Sequence, residues 1–427
     1  MSLIRNYTTM KEAEKDCSTA ILNRRFHLKD AHGSISMPIY AGAAFEFDTA
    51  EAMEQAFLGK SGMHTYSRIS NPTVEAFEAR VKEISGAEHV LAVSSGMAAI
   101  SNTFLNIAFA GSNIVTTSHL FGNTFSLFYF TLKAFGVEVR FCDMLNPADV
   151  DKHIDDKTCA VFAEIITNPH MEVADLKTLS QLAHQKNVPL IADSTIVPWP
   201  HFNGKRLGVD LEVASSTKYI SGGATSIGGL ILDHQTFDWS KSPRLGELSK
   251  TAGKTAFTTK LRGEISRNIG AYMAPQTAHL QSLGLETLAL RFERSSHTCK
   301  QLAQFLQTVP GVQNVNYNGL STNPFYKLSC EQFGEYPGSM LTFALEDRAA
   351  CFKLINKLQV IRRATNIYDN KSLIIHPLST IYGTLSDELK KLVCVPANML
   401  RLSVGLENIE DLKADILQGI SSVGTGL

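Results

Sequence analysis

Residues 71–230 alternate short apolar runs with longer segments whose apolar residues recur every three or four positions. The first long segment opens with Asn71-Pro72, a capping residue followed by a proline that suits a first helical turn, so it predicts a helix. The apolar runs predict strands at His89–Val93, Asn113–Thr117, Val137–Phe141, Ala160–Ile165, Leu190–Ala192 and Leu211–Ala214. Further helices are predicted near Met97–Phe109, Thr124–Phe135 and Leu176–Lys186. This alternation is typical of an α/β fold with a mostly parallel sheet.

Beyond about residue 270 the pattern changes and indicates a smaller α+β domain. Its predicted elements are a long helical stretch at Thr277–Leu306, strands around Val315–Tyr317 and Met340–Leu345, a helix near Ala349–Leu358 and a strand at Arg401–Val404. The first 65 residues lack strong periodicity and are interpreted as an arm that contacts a neighbouring subunit. We therefore expect an arm of residues 1–65, a large domain of residues 66–270 and a C-terminal domain of residues 271–427.

Composition narrows the class of partner. The chain has 427 residues, of which 40 are basic and 41 acidic, and no run of five or six like charges. Neither a nucleic-acid footprint nor a polybasic membrane patch is indicated, and small molecules are the favoured partners. Its seven cysteines are scattered without a C-x-x-C pair, which argues against a zinc site and fits a reducing compartment. The polar, acidic N-terminus excludes a signal peptide, and no stretch approaches 18 apolar residues, so a cytoplasmic protein is expected.

Lys218 is the first candidate for a catalytic residue. Lys218 stands between the apolar run that ends at Ala214 and a glycine-rich loop, residues 221–229. Two residues with hydroxyl side chains, Ser215 and Thr217, precede it closely. Partial burial lowers the pKa of such an ammonium group and frees the amine to form a Schiff base, while the hydroxyls can donate to a phosphate. The alternative is a lysine that extends outward from a strand end with only its stem packed.

Other candidate residues also follow predicted strands, where ligands bind in open α/β sheets. Gly96 and Met97 open a helix whose first N–H groups suit an anion, although such turns also occur as plain connections. Asp193 can hold a pyridinium proton or cap a turn. Asn168 can reach a ring oxygen or start a turn, and Phe121 can stack on a planar ring or belong to the core.

The chain resembles the Cys/Met-metabolism family of pyridoxal-phosphate (PLP) enzymes in several motifs that appear in the family's order. They are Tyr66-Ser67-Arg68 with Asn71-Pro72-Thr73, Ser94-Ser95-Gly96-Met97, Thr167-Asn168-Pro169, Asp193, Ser215 with Thr217-Lys218-Tyr219, and Arg401-Leu402-Ser403-Val404-Gly405-Leu406-Glu407. The resemblance extends from about residue 36 to the C-terminus. It implies a fold type I PLP-dependent transferase in which the large domain binds PLP.

The resemblance also implies roles for the matching residues. Lys218 would form the Schiff base with PLP, Asp193 would pair with the pyridine nitrogen, and Asn168 would lie beside the ring oxygen. Arg401 would hold the substrate carboxylate with paired hydrogen bonds, a task that suits guanidinium better than ammonium. The phosphate would be bound by Gly96, Met97, Ser215 and Thr217.

The remaining motif implies an assembly. Tyr66 and Arg68 would reach the phosphate of a neighbouring subunit's cofactor. Active sites would then be shared across a dimer, and two dimers would form a homotetramer.

Phe121 departs from the family pattern, because many members carry a tyrosine there that stacks on the cofactor and is positioned for proton transfer. Stacking would survive the change. Any step that needs the phenol would pass to water, to Lys218 or to Tyr129.

The segment from Asn366 to Pro377 resembles the O-acetylhomoserine sulfhydrylase branch, and Asn366 is predicted to bind substrate. Three larger residues replace the usual Gly, Ala and His and are expected to add bulk near the pocket: Tyr368, Leu378 and Tyr382. Asn123 replaces the cysteine typical of methionine γ-lyases, which disfavours that activity.

The expected reaction is γ-replacement, in which a sulfur nucleophile displaces the acyl group of O-acetyl-L-homoserine and gives homocysteine or a thioether plus acetate. The acyl group and the sulfur donor stay open, since sulfide, a small thiol or the C-terminus of a carrier protein would each serve. Alternatives within the family are cystathionine γ-synthase and a methionine or cystathionine γ-lyase. A nucleotide-binding α/β protein using Gly222 to Gly229 is a remote alternative, because the loop lacks G-x-x-x-x-G-K-[ST].

Overall fold

The computed structural model describes residues 17–23 and 32–421, which form two sheets covered by helices. The large sheet contains β1 His89–Val93, β2 Asn113–Thr116, β3 Glu138–Phe141, β4 Thr158–Glu164, β5 Leu190–Asp193, β6 Leu211–Ala214 and β7 Gly229–Asp233. Its strand order is β1-β7-β6-β5-β4-β2-β3. Only β7 runs antiparallel to its neighbours in this sheet. The expected α/β fold with a mostly parallel sheet is therefore confirmed.

The small sheet follows in the chain and is mostly antiparallel. It contains β8 Gln313–Asn316, β9 Met340–Ala344, β10 Arg362–Arg363, β11 Leu373–Ile375 and β12 Met399–Ser403, in the order β10-β11-β12-β9-β8. Leu341, Phe343 and Leu402 bury their side chains in its apolar cluster, together with residues of the helices that cover the sheet.

The described helices are α1 Cys17–Asn23, α2 Ala50–Phe57, α3 Pro72–Ser85, α4 Gly96–Ile107, α5 Gly122–Ser126, α6 Pro147–His153, α7 Leu176–Gln185, α8 Gly246–Ala252, α9 Ala256–Lys260, α10 Arg267–Ile269, α11 Pro275–Glu286, α12 Leu288–Leu306, α13 Tyr326–Phe333, α14 Arg348–Lys357, α15 Asp387–Leu392 and α16 Ile409–Ser421. Residues 1–16 and 24–31 of the predicted arm lie outside the described residues. Within residues 17–23 and 32–421, no helix combines the length and apolar character needed to cross a membrane.

Alternating side chains of the central strands feed two apolar clusters, one on each face of the large sheet. Leu190 and Ala192 of β5 belong to one cluster, and Ile191 between them belongs to the other. Because both faces are covered, polar side chains are accommodated where the strands end. The carboxyl ends of β4, β5 and β6 are therefore the edge at which a ligand can be reached.

The structure differs from the sequence-based expectation at β7, where only a glycine-rich loop was predicted. Its apolar core, Leu230 to Leu232, is short, and Gly229 is the first residue of the strand. A Cβ atom at Gly229 would lie 2.0 Å from the carbonyl oxygen of Ser95, so this glycine permits β7 to pack against the turn before α4.

The helical stretch predicted at Thr277–Leu306 is confirmed, and it consists of two helices, α11 and α12, which are separated at Thr287. A Cβ atom at Gly284 would lie 2.2 Å from the carbonyl oxygen of Ile220. The backbone of α11 thus lies directly on the turn that follows Lys218. The break lets α11 keep this contact while α12 extends toward the small sheet.

Candidate active site

A cavity of about 780 Å³ opens at the carboxyl ends of β4, β5 and β6 and at the start of α4. Ten of the predicted site residues line it: Gly96, Met97, Phe121, Asn168, Asp193, Ser215, Thr217, Lys218, Asn366 and Arg401. Residues from both sheets therefore meet in one space, as the order of the motifs implied.

Lys218 lies in this cavity with its amine held in place. It follows the turn after β6, and its Nζ donates a hydrogen bond of 2.6 Å to Oδ1 of Asn366. Burial lowers the pKa of Lys218 to about 8, with a further contribution from the nearby positive charge of Arg401, while Asp369 and Asp193 oppose the change. At neutral pH a fraction of the amine is consequently unprotonated and nucleophilic.

Asp193 ends β5 with its side chain partly buried in the cavity wall. Oδ1 accepts a hydrogen bond of 3.0 Å from the N–H of Thr195. Burial raises the pKa of Asp193, whereas Thr195 and the charge of Lys218 counteract that rise. A buried carboxyl at this point suits a partner that brings its own proton or positive charge.

Glu164 is a site residue that the sequence reasoning missed. It ends β4 beside Asp193, is only 6% exposed and lines the cavity. Its Oε1 accepts a hydrogen bond of 2.6 Å from the N–H of Phe121, and its Oε2 accepts one of 3.2 Å from the N–H of Asn168. Burial and the neighbouring Asp193 raise the pKa of Glu164 well above its ordinary value, although the two N–H groups oppose this. One carboxyl thus fixes two turns of the cavity wall.

The first turn of α4 forms a cradle of small residues. Oγ of Ser95 caps the helix by accepting from the N–H of Ala98 at 3.0 Å. A Cβ atom at Gly96 would lie 2.7 Å from Cβ of Ser215, so only glycine allows this approach. The first N–H groups of a helix have no partner within it and carry a partial positive charge, which suits a phosphate.

Thr217 joins the same wall through two hydrogen bonds with Gly228. Its Oγ1 donates to the carbonyl oxygen of Gly228 at 3.2 Å and accepts from the N–H of Gly228 at 3.0 Å. These bonds tie the turn before Lys218 to the glycine-rich loop.

Arg401 reaches the cavity from β12 of the small sheet and is 2% exposed. Its Nη1 donates to Oδ1 of Asn168 at 2.9 Å, and its Nη2 donates to the carbonyl oxygen of Thr365 at 2.9 Å. Its buried Nε has no hydrogen-bond partner among the described residues. Burial lowers the pKa of Arg401 to about 10, with Tyr368 and Tyr382 opposing the change. A buried guanidinium with an unused donor is suited to an incoming carboxylate.

Tyr368 and Tyr382 lie near the pocket, as expected, since both interact with Arg401, but neither ring is among the residues that line the cavity. Tyr368 has a positive φ of 57° and stacks on Tyr219 at 4.3 Å between ring centroids. The hydroxyl of Tyr382 donates to the carbonyl oxygens of Leu120 and Asn168 at 2.8 and 3.1 Å. Leu378 packs against the apolar cluster on one face of the large sheet. Tyr382 therefore supports the cavity wall at Asn168 from behind.

Phe121 lines the cavity at the start of α5, so it is placed to stack on a planar group. Tyr129, considered as a substitute for the absent phenol, instead stacks on Phe125 and Phe141 and lies outside the cavity lining. Asn123 lines the cavity at the position where a γ-lyase would carry cysteine.

Tyr66 and Arg68 lie outside this cavity. Tyr66 is 42% exposed, and Nη1 of Arg68 donates to the carbonyl oxygen of Arg267. Their expected action on the cofactor of a neighbouring subunit stays a prediction.

Comparison with known proteins adds independent findings. A family model described as Cys/Met metabolism PLP-dependent enzyme matches residues 18–421. An O-acetyl-L-homoserine sulfhydrylase of Corynebacterium glutamicum is 35% identical over 410 residues, which cover 91% of this chain and 93% of that protein. An L-methionine γ-lyase of Fusobacterium nucleatum is 33% identical over 398 residues, covering 93% and 96%.

A solved structure extends the likeness to three dimensions. It is that of the O-acetylhomoserine sulfhydrylase of the methionine biosynthetic pathway of Wolinella succinogenes, reported with a novel mechanism of sulfur transfer. It is 48% identical with a TM-score of 0.74, and the match covers 83% of this chain and 99% of that chain.

Proposed function

The chain belongs to the Cys/Met-metabolism family of PLP-dependent enzymes, and from that premise we propose that it carries out γ-replacement on O-acetyl-L-homoserine. A sulfur nucleophile takes the place of the acetate group, and the products are homocysteine or a thioether plus acetate, as a step of methionine biosynthesis. The observation that carries the proposal is the position of the Lys218 amine, in one cavity with the Asp193 carboxyl and the Arg401 guanidinium.

The residues present fit PLP. The close approach of Gly96 to Ser215 leaves the N-terminus of α4 open to a phosphate, with Met97 and Thr217 completing the binding wall. Asp193 would pair with the pyridine nitrogen, Phe121 would cover a face of the ring and Asn168 would lie beside the ring oxygen. When bound, PLP supplies an electron-withdrawing ring that stabilises negative charge on the substrate carbons.

Arg401 would bind the α-carboxylate of the amino-acid substrate. Its unpartnered Nε supplies one donor, and the hydrogen bond from Nη1 to Asn168 holds the guanidinium plane. Paired hydrogen bonds from a preoriented guanidinium fix the direction of the substrate as well as its affinity. The reacting carbons would therefore face Lys218.

Lys218 would move the protons of the reaction. Its Nζ, with a pKa lowered to about 8, can take a proton from Cα and return it at a later step. Asn366 accepts a hydrogen bond from the Lys218 amine and would orient that amine. Because Asn366 also lines the cavity, it would contact the substrate. Because Tyr129 lies elsewhere, the proton transfers that a phenol would assist fall to Lys218 and water.

The assembly and cellular location belong to the same proposal. Tyr66 and Arg68 would complete the phosphate site of a second copy, so the active unit would be a dimer and the full particle a homotetramer. Six of the cysteines, from Cys142 to Cys394, are free thiols, which is consistent with a reducing, cytoplasmic environment.

A panel of substrates tests the reaction. O-acetyl-, O-succinyl- and O-phosphohomoserine are each combined with sulfide, methanethiol and cysteine, and homocysteine, thioether and α-ketobutyrate are measured. We expect the highest kcat/KM with O-acetylhomoserine, and we expect its products to contain the new carbon–sulfur bond of homocysteine or a thioether. Cystathionine formation from cysteine would indicate a γ-synthase instead, and release of α-ketobutyrate from methionine alone would indicate a γ-lyase, the activity of the relative from Fusobacterium nucleatum.

The identity of the sulfur donor needs a separate experiment, because the related enzyme of Wolinella succinogenes was reported with a novel mechanism of sulfur transfer. Saturation with free sulfide in the micromolar to millimolar range typical of KM values would support sulfide or a small thiol. A rate that stays linear in sulfide far above that range would favour delivery by a carrier protein.

A further inference from the structure

A second cavity, of about 370 Å³, opens beside the catalytic one near the ends of β2 and β3. Glu164 lines both cavities. The wall of the second cavity includes Cys142, Met144 and Asp149, none of which the proposed reaction uses.

Three metal-ligating side chains meet at its edge. Cys142 directly follows β3, and Asp149 and His153 stand four residues apart on α6, which places them on one helical face. One ligand atom from each, the Cys142 sulfur, a carboxylate oxygen and a ring nitrogen, lies within 4.8 Å of the other two. The scattered cysteines had argued against a zinc site, but folding brings a carboxylate and an imidazole to Cys142.

Existing hydrogen bonds hold this group in place. Nδ1 of His153 is 2.7 Å from the carbonyl oxygen of Asp149, a contact that fixes the ring. Oδ2 of Asp149 accepts from the N–H of Asp143 at 2.9 Å. Outer hydrogen bonds of this kind orient the ligands of metal sites. The Sδ atom of Met144 lies 3.7 Å from Sγ of Cys142 and adds a second soft donor.

We propose that Cys142, Asp149 and His153 form a binding site for a thiophilic divalent cation of the Zn²⁺ class. Cysteine, histidine and aspartate are all ligands of zinc, and three protein ligands leave a fourth position for water or for Met144. A thiolate and a carboxylate together neutralise the two positive charges of the cation. Zn–ligand bonds of about 2.0–2.3 Å require the ligand atoms to approach one another by roughly 1 Å as the cation binds.

The binding step is balanced by a proton. The thiol of Cys142 loses its proton to solvent as the Zn–S bond forms, and no electron is transferred. None of Cys142, Asp149 and His153 takes part in the reaction proposed for Lys218, so failure of the metal site would leave that proposal untouched.

The test uses the PLP-loaded enzyme, treated with a chelator, dialysed and titrated with Co²⁺ without substrate. We expect one Co²⁺ per chain, release of the Cys142 thiol proton as Co²⁺ binds, and the near-ultraviolet absorption of a thiolate–cobalt bond. Added Zn²⁺ should abolish this absorption by displacing Co²⁺, without further proton release. Cys142→Ser removes the absorption. His153→Ala and Asp149→Asn lower the affinity by more than the roughly 10- to 100-fold typical of losing an outer partner.

Cys394→Ser is the matched control, because Cys394 is an exposed free thiol elsewhere on the chain. It should bind Co²⁺ like the unaltered enzyme. The proposal is overturned if no thiolate–cobalt absorption develops, if the absorption survives Cys142→Ser, or if Cys394→Ser abolishes it. Since each ligand is tested by its own variant, one that fails to fold does not remove the test.

Discussion

Glu164→Gln tests whether one buried carboxyl holds the cavity wall in its working shape. The carboxyl accepts from the N–H groups of Phe121 and Asn168, one with each oxygen. Glutamine has nearly the same shape but only one oxygen, so in either orientation its NH₂ group faces a backbone N–H. A buried donor left without an acceptor costs about 1–3 kcal/mol, or roughly 5- to 150-fold in an equilibrium.

This loss should appear in catalysis because both turns carry cavity residues. Phe121 would shift relative to the PLP ring, and Asn168 would no longer hold Arg401 as tightly. We expect kcat/KM for O-acetylhomoserine to fall by about 5- to 150-fold in steady-state assays with sulfide, with altered visible absorbance of the bound cofactor. Asp233→Asn is the matched control, because Asp233 is a buried carboxyl of β7 that accepts from Gln235 and Thr258 away from the cavity. It should lower thermal stability and leave kcat/KM within about twofold.

The pH dependence of stability gives a second readout. The pKa of Glu164 is raised in the folded protein, so between its ordinary value of about 4.3 and the raised value the folded state keeps a proton that the unfolded chain has lost. The contribution of Glu164 to stability therefore falls as pH rises through that window, and the Glu164→Gln variant lacks this slope. The difference in Tm between the two proteins should narrow with rising pH. The reasoning is refuted if Glu164→Gln retains full kcat/KM and the Tm difference is constant with pH.

Three further predictions concern other parts of the chain. The rate at which cofactor-free enzyme captures PLP should rise with pH and reach half of its maximum at about pH 8, the pKa of Lys218, and Lys218→Ala should abolish the covalent attachment. A flat pH profile would contradict the assignment of Lys218. Arg401→Lys should raise KM for O-acetylhomoserine by about 10- to 100-fold, because one or more charge-assisted hydrogen bonds are lost, and should leave KM for sulfide unchanged. Equal changes in the two KM values would argue against carboxylate binding by Arg401. Asp415→Ala should lower the free energy of unfolding by about 3 kcal/mol in urea titrations, because its carboxylate accepts hydrogen bonds from the N–H groups of Gln359, Val360 and Ile361. The control Asp411→Ala, on the exposed face of the same helix, should change this free energy little.

The residues at strand ends were predictable because the strands of a buried parallel sheet are short apolar runs with abrupt polar ends. Asp193 and Lys218 stand just at or beyond such ends, and the structure places both in the cavity. Glu164 was missed as a site residue because the apolar residues Ile165 and Ile166 follow it, so the strand was predicted to end one residue too late. No periodicity distinguishes a carboxyl that ends a strand from one inside it.

Long-range contacts account for the other differences. The length of β7 depends on the approach of Gly229 to Ser95, and the break between α11 and α12 accompanies the contact of Gly284 with the turn after Lys218. A local sequence pattern contains neither partner. The position of the Tyr368 ring outside the cavity lining has the same origin, since its positive φ and its stacking on Tyr219 are set by the surrounding fold.

Two of the hydrogen bonds that join the first and last parts of the chain lie in the cavity, and they have an evolutionary consequence. Asn168 and Lys218 are carried by the first part of the chain, while their partners Arg401 and Asn366 come from the last part. Neither part holds a complete pair, so a gene recombined between them must bring together compatible halves from both parents. Chimeras of this chain with its relatives would inherit a working cavity only where both pairs are restored.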